Sequence, residues 1–200
     1  MDTSTLRFAR RELILGGQKS GKSSRAERQA MTWLAADAGH RAVLIATGQA
    51  NDPQMSERIA RHRRERMLRA PALVTVEEPL ELGPAIVRHS TPKTLVLIDC
   101  LTLWLTNRLM PSEAMPVVES ANDPAHEAAF FLALGSAPGP VVIVSNEIGL
   151  GVIPLGQEVR DFVDALGVLN QRTAAACDRV TLMVSGMAMT LKEGNVCGVS

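Results

Sequence analysis

The sequence predicts an α/β fold with a mainly parallel β-sheet, and three observations support this. Short apolar runs bounded by turn signals recur along the chain, at residues 13–15, 42–46, 95–98, 141–144 and 180–184. Several of these runs are continuous rather than alternating in polarity, which is typical of strands that are covered on both faces. Stretches rich in helix formers separate them. Alternating strands and helices predict right-handed crossovers between parallel strands.

The predicted elements follow in order along 1–200, which we expect to form one domain. Residues 1–11 are predicted to be a polar N-terminal extension before the first strand. Helices are predicted over 23–36, 54–69, about 125–134 and 157–176, because helix formers dominate these stretches. The prolines at 111–124 indicate a surface connection. Residues 187–191 follow Ser185-Gly186 closely enough to form a hairpin, which predicts an antiparallel edge at the C-terminal end of the sheet.

The composition excludes several classes of protein. Lysine plus arginine equals aspartate plus glutamate at 21 each, so no overall positive field predicts a nucleic acid or an anionic membrane as partner. The cysteines at 100, 177 and 197 form no C-x-x-C pair, which argues against a disulfide framework or a thiolate zinc site. No run of about 18 apolar residues and no apolar segment typical of a signal peptide is present. We therefore expect a cytoplasmic protein with reduced thiols and no membrane span.

The most informative motif is a phosphate-binding loop. It reads Gly16-Gly17-Gln18-Lys19-Ser20-Gly21-Lys22-Ser23 and fits the pattern G-x-x-x-x-G-K-[ST]. In this pattern the backbone N–H groups face phosphate oxygens, Lys22 reaches the β and γ phosphates, and Ser23 ligates Mg²⁺. An apolar strand precedes the loop and a helix follows it, which is the setting that the motif requires. The alternative is a glycine turn with a solvated lysine.

An acidic residue ends one of the predicted strands. Four apolar residues at 95–98 lead to Asp99, so a buried strand would deliver this carboxylate to the edge of the sheet beside the phosphate loop. There it could hold Mg²⁺ directly or through water, together with Ser23. The alternative is that Asp99 caps the helix that begins at Cys100.

The helix predicted over 54–69 carries an unusual face. Asp52 is its expected N-cap and Pro53 its first residue. Arg58, His62 and Arg66 are spaced at i, i+4 and i+8, which puts an imidazole between two guanidiniums. Flanking cations favour a neutral imidazole, whose free nitrogen could attack phosphorus. The alternative is a solvated charged helix that happens to contain a histidine.

A further polar segment follows the strand at 141–144. Ser145, Asn146 and Glu147 end this strand, and ligands bind at strand ends in open α/β sheets. These side chains could therefore face the nucleotide or a second substrate. An ordinary strand-to-loop turn explains the segment equally well. His40, His89 and His126 fall in predicted turns or linkers and have no assigned role.

Taken together, these segments resemble the bifunctional adenosylcobinamide kinase/adenosylcobinamide-phosphate guanylyltransferase family of cobalamin biosynthesis. The resemblance covers most of the chain. It rests on the phosphate loop, Ala46-Thr47, Asp52-x-x-Met55-x-x-Arg58-Ile59-x-x-His62-x-x-x-Arg66, Asp99-Cys100-Leu101-Thr102 with Thr106-Asn107, Ser145-Asn146-Glu147-x-Gly149-x-Gly151-x-x-Pro154, Arg160-x-Phe162-x-Asp164-x-x-Gly167-x-x-Asn170-Gln171 and Ser185-Gly186.

The resemblance implies a P-loop NTPase fold, that is, a RecA-like three-layer sandwich, and two reactions. Adenosylcobinamide would be phosphorylated with ATP or GTP, and its phosphate would then receive GMP from GTP through a covalent phosphoramidate on His62. Lys22 and Asp99 would also be catalytic, and a homotrimer is implied. The nucleotide is implied to contact the phosphate loop, Ala46, Thr47, Gly48, Arg63, Arg64, Glu65, Arg66, Glu77 and Asp99.

The chain departs from the family pattern between the helix and Glu77. Met67 stands where the family often has proline, and Leu73 stands where it often has tryptophan. These departures leave open whether Glu77 or Glu78 contacts the ligand.

Two other functions compete with this interpretation. One is a monofunctional P-loop kinase of small molecules in which His62 is structural. The other is a regulatory nucleotide switch whose arginine-rich helix grips nucleic acid or a protein. An aromatic content of only 3% counts against nucleic acid, because few side chains can stack on bases.

Overall fold

A computed structural model describes residues 7–50, 52–110, 123–151, 154–194 and 197–198. In chain order the strands are β1 (Arg7–Phe8), β2 (Arg11–Gly16), β3 (Arg41–Ala46), β4 (Val74–Glu77), β5 (Thr94–Asp99), β6 (Val141–Val144), β7 (Arg179–Val184), β8 (Met187–Glu193) and β9 (Cys197–Gly198). Seven of them form one sheet in the order β4-β3-β5-β6-β2-β7-β8, and β1 pairs with β9 separately. All neighbours in the large sheet are parallel except β7 and β8. The antiparallel hairpin that the sequence predicts is thereby confirmed.

Six helices are present in the described residues and cover both faces of the sheet. They are α1 (Lys22–Ala36), α2 (Pro53–Arg69), α3 (Leu82–His89), α4 (Leu101–Leu109), α5 (Pro124–Ser136) and α6 (Gln157–Ala176). Buried residues of α3, α4, α5 and α6 form one core with the sheet, and buried residues of α1 form a second core on the opposite face. The predicted three-layer α/β fold is therefore confirmed.

The continuous apolar runs have a direct explanation in this layering. Successive side chains of a strand point to opposite faces of the sheet. In β5, Val96 and Ile98 belong to the core beneath α3–α6, whereas Leu95 and Leu97 belong to the core beneath α1. Because both faces are covered, the consecutive positions 95–98 of β5 are all apolar.

The structure corrects the predicted N-terminal extension over 1–11. Arg11 already begins β2, and Arg7–Phe8 forms β1. The ring of Phe8 packs edge-on against Trp33 of α1, with 5.3 Å between ring centroids. The predicted extension was too long because single polar residues such as Arg11 and Glu12 conceal the start of a buried strand; Glu12 is only 2% exposed.

Strand β4 and helix α3 were not predicted from the sequence, and two histidines were assigned wrongly. The edge strand β4 contains no buried residue and therefore lacks an apolar run. Helix α3 has Gly83 and Pro84 in its first turn, two residues that disfavour a helix prediction. His89 and His126 lie in α3 and α5 rather than in linkers. Most of the predicted connection over 111–124 lies outside the described residues.

No helix in the described part of the chain is both long enough and apolar enough to cross a membrane.

A candidate nucleotide site at the carboxyl ends of the strands

A cavity of about 530 Å³ lies between the phosphate loop, the carboxyl ends of the central strands and α2. The strands reach this edge level with one another, because Asp99 at the end of β5 is in register with Ala46 of β3 and with Val144 of β6. All three of these residues line the cavity. Ligands bind at this edge in open α/β sheets because the loops and helix N-termini converge there.

The cavity wall is strongly basic although the chain has no net charge. Seven cationic side chains line it, against three carboxylates: Lys19, Lys22, Arg58, Arg61, Arg63, Arg66 and Arg69 against Glu65, Glu77 and Asp99. The positive charge that a polyphosphate requires is therefore concentrated in this one cavity.

The phosphate loop has the backbone geometry that its glycines predict. Gly16 and Gly21 adopt φ values of 148° and 99°, a region that glycine enters at no steric cost. A Cβ at Gly16 would lie 2.4 Å from the carbonyl oxygen of Met183. Gly21 is the N-cap of α1 and no side chain caps this end of the helix. The first N–H groups of α1 are therefore left for an anion.

Lys22 is held at the mouth of this loop. Its side chain is buried, and Nζ donates a hydrogen bond of 2.5 Å to the carbonyl oxygen of Gly17. Burial lowers the pKa of Lys22, an effect that the nearby Cys100 and Asp99 oppose. A buried ammonium group without a full counter-charge is well suited to bind phosphate oxygens.

Asp99 and Ser23 both line the cavity, as the predicted Mg²⁺ site requires. The alternative role of Asp99 as a helix cap is wrong, because α4 has Cys100 as its N-cap and no side-chain capping bond. The Asp99 carboxylate accepts no hydrogen bond from the described residues and is half-buried. A carboxylate and a hydroxyl are hard oxygen ligands of the kind that Mg²⁺ prefers. No cluster of three or more histidine, cysteine or acidic residues suited to a metal exists in the part of the chain that is described.

Helix α2 presents its predicted face to the same cavity. The helix begins as predicted, because the Asp52 carboxylate accepts a 2.7 Å hydrogen bond from the Met55 N–H, and Pro53 follows. Arg58, His62 and Arg66 all line the cavity. His62 is half-buried and Arg66 is buried. These side chains share a concave wall with the phosphate loop, which favours the predicted face over a merely solvated one.

The structure distinguishes Glu77 from Glu78, either of which could contact the ligand according to the sequence. Glu77 lines the cavity and pairs with Arg63. Glu78 instead accepts hydrogen bonds from the N–H groups of Leu80 and Glu81, at 3.1 and 2.9 Å, just before α3. Glu77 is therefore the one that can reach a ligand in this cavity.

Four of the predicted nucleotide contacts do not line the cavity: Gly16, Gly17, Thr47 and Arg64. Thr47 is fully buried; its Oγ1 donates to the carbonyl oxygen of Cys100 at 2.7 Å and accepts from the Cys100 N–H at 2.9 Å. This side chain ties the end of β3 to the end of β5. Arg64 is exposed on another side of α2. The remaining predicted contacts, including Ala46, Gly48 and Glu65, are in the wall.

Several wall residues were not predicted as ligand contacts. Met55, Ile59 and Leu103 give the cavity an apolar part, and the helical spacing of Met55 and Ile59 could have indicated it. Of the three residues after β6 that the sequence proposed as possible ligand contacts, Asn146 lines the cavity, Glu147 does not, and Ser145 is fully buried. An apolar wall beside a basic one suits a ligand with both a flat ring system and phosphates.

Comparison with known proteins agrees with this geometry. The family model described as cobinamide kinase / cobinamide phosphate guanyltransferase matches residues 12–191. The chain is 45% identical over 183 residues to the bifunctional adenosylcobalamin biosynthesis protein CobP of Pseudomonas aeruginosa, which covers 91% of this chain and 97% of that protein. It is 35% identical over 188 residues to the bifunctional adenosylcobalamin biosynthesis protein CobU of Escherichia coli, which covers 90% of this chain and 98% of that protein.

Among solved structures, the flagellar accessory protein FlaH of Methanocaldococcus jannaschii matches with a TM-score of 0.47 and 12% identity, covering 92% of this chain and 78% of that one. The family match extends over most of the chain and includes the phosphate loop, α2 and Asp99. The resemblance stated from the sequence is thereby confirmed. This chain belongs to the cobinamide kinase / cobinamide phosphate guanyltransferase family.

Proposed function

We propose that this chain is a bifunctional transferase that phosphorylates adenosylcobinamide and then transfers GMP from GTP to the product, giving adenosylcobinamide-GDP. Membership of the family supports both activities. The observation that carries the proposal is that His62 and the phosphate loop line one cavity. A nucleoside triphosphate on the loop would have its phosphates close to both the kinase residues and the imidazole.

In the kinase reaction, the hydroxyl of the aminopropanol arm of adenosylcobinamide attacks the γ-phosphorus of ATP or GTP. The nucleoside diphosphate leaves and the hydroxyl proton is lost. Lys22, which lines the cavity, and the uncapped N-terminal amides of α1 would stabilise negative charge on the transferring phosphoryl group.

Ser23 and Asp99 are the residues that would hold Mg²⁺. Both carry hard oxygen ligands in the wall of the cavity, and the Asp99 carboxylate is committed to no capping bond. When bound, Mg²⁺ supplies positive charge to the phosphate oxygens and orients them.

In the second reaction, an unprotonated ring nitrogen of His62 attacks the α-phosphorus of GTP and pyrophosphate leaves. A phosphate oxygen of adenosylcobinamide phosphate then attacks the same phosphorus, the P–N bond breaks and His62 is released. Arg58 and Arg66 lie on the same helix face and line the same cavity, so they would stabilise charge on the phosphate oxygens. The covalent step divides one difficult displacement into two.

Incubation with GTP labelled at the α-phosphate tests this mechanism. We expect a protein-bound label that survives alkali and is lost in acid, as a phosphoramidate should be, and we expect none in His62→Ala. Kinase turnover of His62→Ala should persist. An equal adduct in His62→Ala would overturn the role of His62. Kinase turnover without any adduct in the unaltered protein would favour the monofunctional kinase.

Three finer features belong to the proposal as well. We expect ATP or GTP to serve the kinase step, a homotrimer in solution and a cytoplasmic location. The family resemblance motivates the first two, and the separated cysteines at 100, 177 and 197 motivate the third.

A further inference from the structure

Glu27 is a buried carboxylate beside the cavity that neither proposed reaction uses. It lies on α1, which begins at Lys22, and only 2% of its surface is exposed. Its Oε2 accepts a 2.7 Å hydrogen bond from Arg69 Nε, and its Oε1 lies 3.6 Å from Arg66 Nε. Both arginines belong to α2. Because a buried carboxylate is costly unless cations pair with it, the position of Glu27 is coupled to that of α2.

Helix α2 has few apolar contacts that could determine its orientation. Of its residues, all of which are described, Arg66 alone is buried. Met67 and Leu68 are 66% and 86% exposed. Met55 and Ile59 are half-buried, but they lie in the first half of the helix. The second half therefore lacks the apolar stripe that normally fixes the rotation of a surface helix about its axis.

The charge contacts of the second half differ greatly in burial. The side chains of Arg63 and Glu77 are 53% and 61% exposed, and exposed ion pairs of this kind contribute little to stability. Arg69 also reaches Glu65 at 3.3 Å, again near the surface. Glu27 is the carboxylate in this group that is withdrawn from water, and it contacts both Arg66 and Arg69. Arg66 Nη1 also donates a 3.2 Å hydrogen bond to Thr75 Oγ1 of β4. Among the carboxylates that contact this half of α2, Glu27 is therefore the one whose loss should most affect the orientation of the helix.

The spacing along α2 connects this contact to His62. His62 precedes Arg66 by four residues and Arg69 by seven, so the three lie on one face of the helix. Fixing Arg66 and Arg69 against α1 therefore also directs His62 toward α1, the helix whose first residues complete the phosphate loop.

We propose that Glu27 is a positioning residue for guanylyl transfer: by holding Arg66 and Arg69 it orients α2 so that His62 faces the nucleotide on the phosphate loop. This inference rests on the proposed function. Glu27 touches no reacting atom. Its effect falls on the His62 reaction and spares the kinase reaction, whose Lys22, Ser23 and Asp99 lie on the phosphate loop, α1 and β5.

The test compares Glu27→Gln with Glu12→Gln. Glutamine keeps the shape of Glu27 and removes its charge. Glu12 is a matched control because it is also 2% exposed and also faces two arginines, Arg25 at 3.6 Å and Arg179 at 3.8 Å. It lies near the opposite end of β2 from the phosphate loop and does not line the cavity.

At saturating GTP, we expect Glu27→Gln to form the labelled His62 adduct at least about tenfold more slowly, since small misplacements of a reacting group cost this much or more. Its kinase turnover should stay within about twofold of the unaltered protein. Glu12→Gln should change both activities by the same factor. Glu27→Asp keeps the charge and should recover part of the adduct rate. If Glu27→Gln does not fold, Glu27→Asp is compared directly with the unaltered protein and should show a smaller loss of adduct rate with unchanged kinase turnover.

Hydrogen–deuterium exchange gives a second readout that needs no covalent chemistry. We expect faster exchange across the second half of α2 in Glu27→Gln and no such change in Glu12→Gln. Unchanged exchange in α2 would overturn the inference. A parallel loss of both activities would also overturn it, because Glu27 would then be a stability residue. If the unaltered protein forms no adduct, the proposed function fails and the guanylyl role of Glu27 fails with it, whereas the exchange result still reports whether Glu27 holds α2.

Discussion

At the scale of single residues, burial decides which polar groups serve the cavity and which serve the fold. Thr47 and Lys22 both lie near the cavity, but both hydrogen bonds of the Thr47 hydroxyl are made with the backbone of Cys100. Lys22 has one backbone acceptor, the carbonyl oxygen of Gly17, and its charged form is disfavoured by burial. An ammonium group held in this way lowers the stability of the protein without nucleotide and strengthens the binding of phosphates.

We therefore predict opposite effects of Lys22→Met on stability and on binding. Affinity for GTP should fall by tenfold or more, because the charge facing the phosphates is lost. The melting temperature without nucleotide should equal or exceed that of the unaltered protein, because a buried charge is removed.

The difference in melting temperature between Lys22→Met and the unaltered protein should change with pH in a definite direction. The folded-state pKa of Lys22 is lowered from its ordinary value of 10.5, so the unfolded chain binds the proton more tightly. The destabilisation is fully present below the folded-state pKa and disappears as the pH rises toward the ordinary value of 10.5. Thermal melts at several pH values should show the gap narrowing with pH. A control, Lys19→Met, removes an exposed amine and should leave the melting temperature unchanged; a lower melting temperature for Lys22→Met would contradict the prediction.

At the scale of elements, close packing between helices fixes the larger of the two cores. Helix α3 approaches α5 so closely that a Cβ at Gly83 would lie 2.6 Å from the carbonyl carbon of Ala129. The same interface leads into the largest part of the core, where the rings of Trp104 and Phe130 lie 5.3 Å apart. By contrast, Gly167 within α6 has nothing within 4 Å of its potential Cβ.

These two glycines predict opposite results for the same substitution. Gly83→Ala should destabilise the protein by about 1–3 kcal/mol, because the added methyl group would force α3 and α5 apart. Gly167→Ala should stabilise it by roughly 0.5–1 kcal/mol, because alanine loses less backbone entropy in a helix. Urea unfolding of both variants checks this. A neutral Gly83→Ala would mean that the two helices are not in direct backbone contact.

At the scale of the whole molecule, the site is assembled from segments that are far apart in the chain. The cavity wall runs from the phosphate loop at Gln18 to Asn146 after β6. These segments meet only when the central strands are paired side by side. We therefore expect nucleotides to bind only the folded state of the chain and not the unfolded state. A site that needs the whole sheet is consistent with the proposal of one domain over 1–200.

Ligand binding should then raise the thermal stability of the whole molecule. GTP with Mg²⁺ at 100 times its dissociation constant should add about 2.7 kcal/mol. At roughly 2–4 °C per kcal/mol for a chain of this size, the melting temperature should rise by about 5–11 °C. Differential scanning calorimetry measures the rise. Guanosine, which lacks phosphates, serves as the control and should give little shift; an equal shift with guanosine would contradict a site built around the phosphate loop.

Local patterns were sufficient for much of the fold and for the centre of the site. The phosphate loop, the start of α2 at Asp52 and Pro53, and the hairpin of β7 and β8 each depend on residues adjacent in sequence. The strand β4 and helix α3 were missed because their stability comes from neighbours. An exposed edge strand has no apolar run, and a helix that starts with glycine and proline depends on packing.

The sequence by itself determined that this chain carries a phosphate-binding loop on a strand and a helix, and that one face of α2 combines His62 with arginines. Both follow from short-range geometry, that is, from backbone torsion angles and helical spacing. Only the tertiary structure decided that this face meets the loop, that Glu77 rather than Glu78 enters the cavity, and that Glu27 pairs with Arg66 and Arg69. Such contacts depend on strand order and on the packing of helices far apart in the chain, which no local spacing encodes.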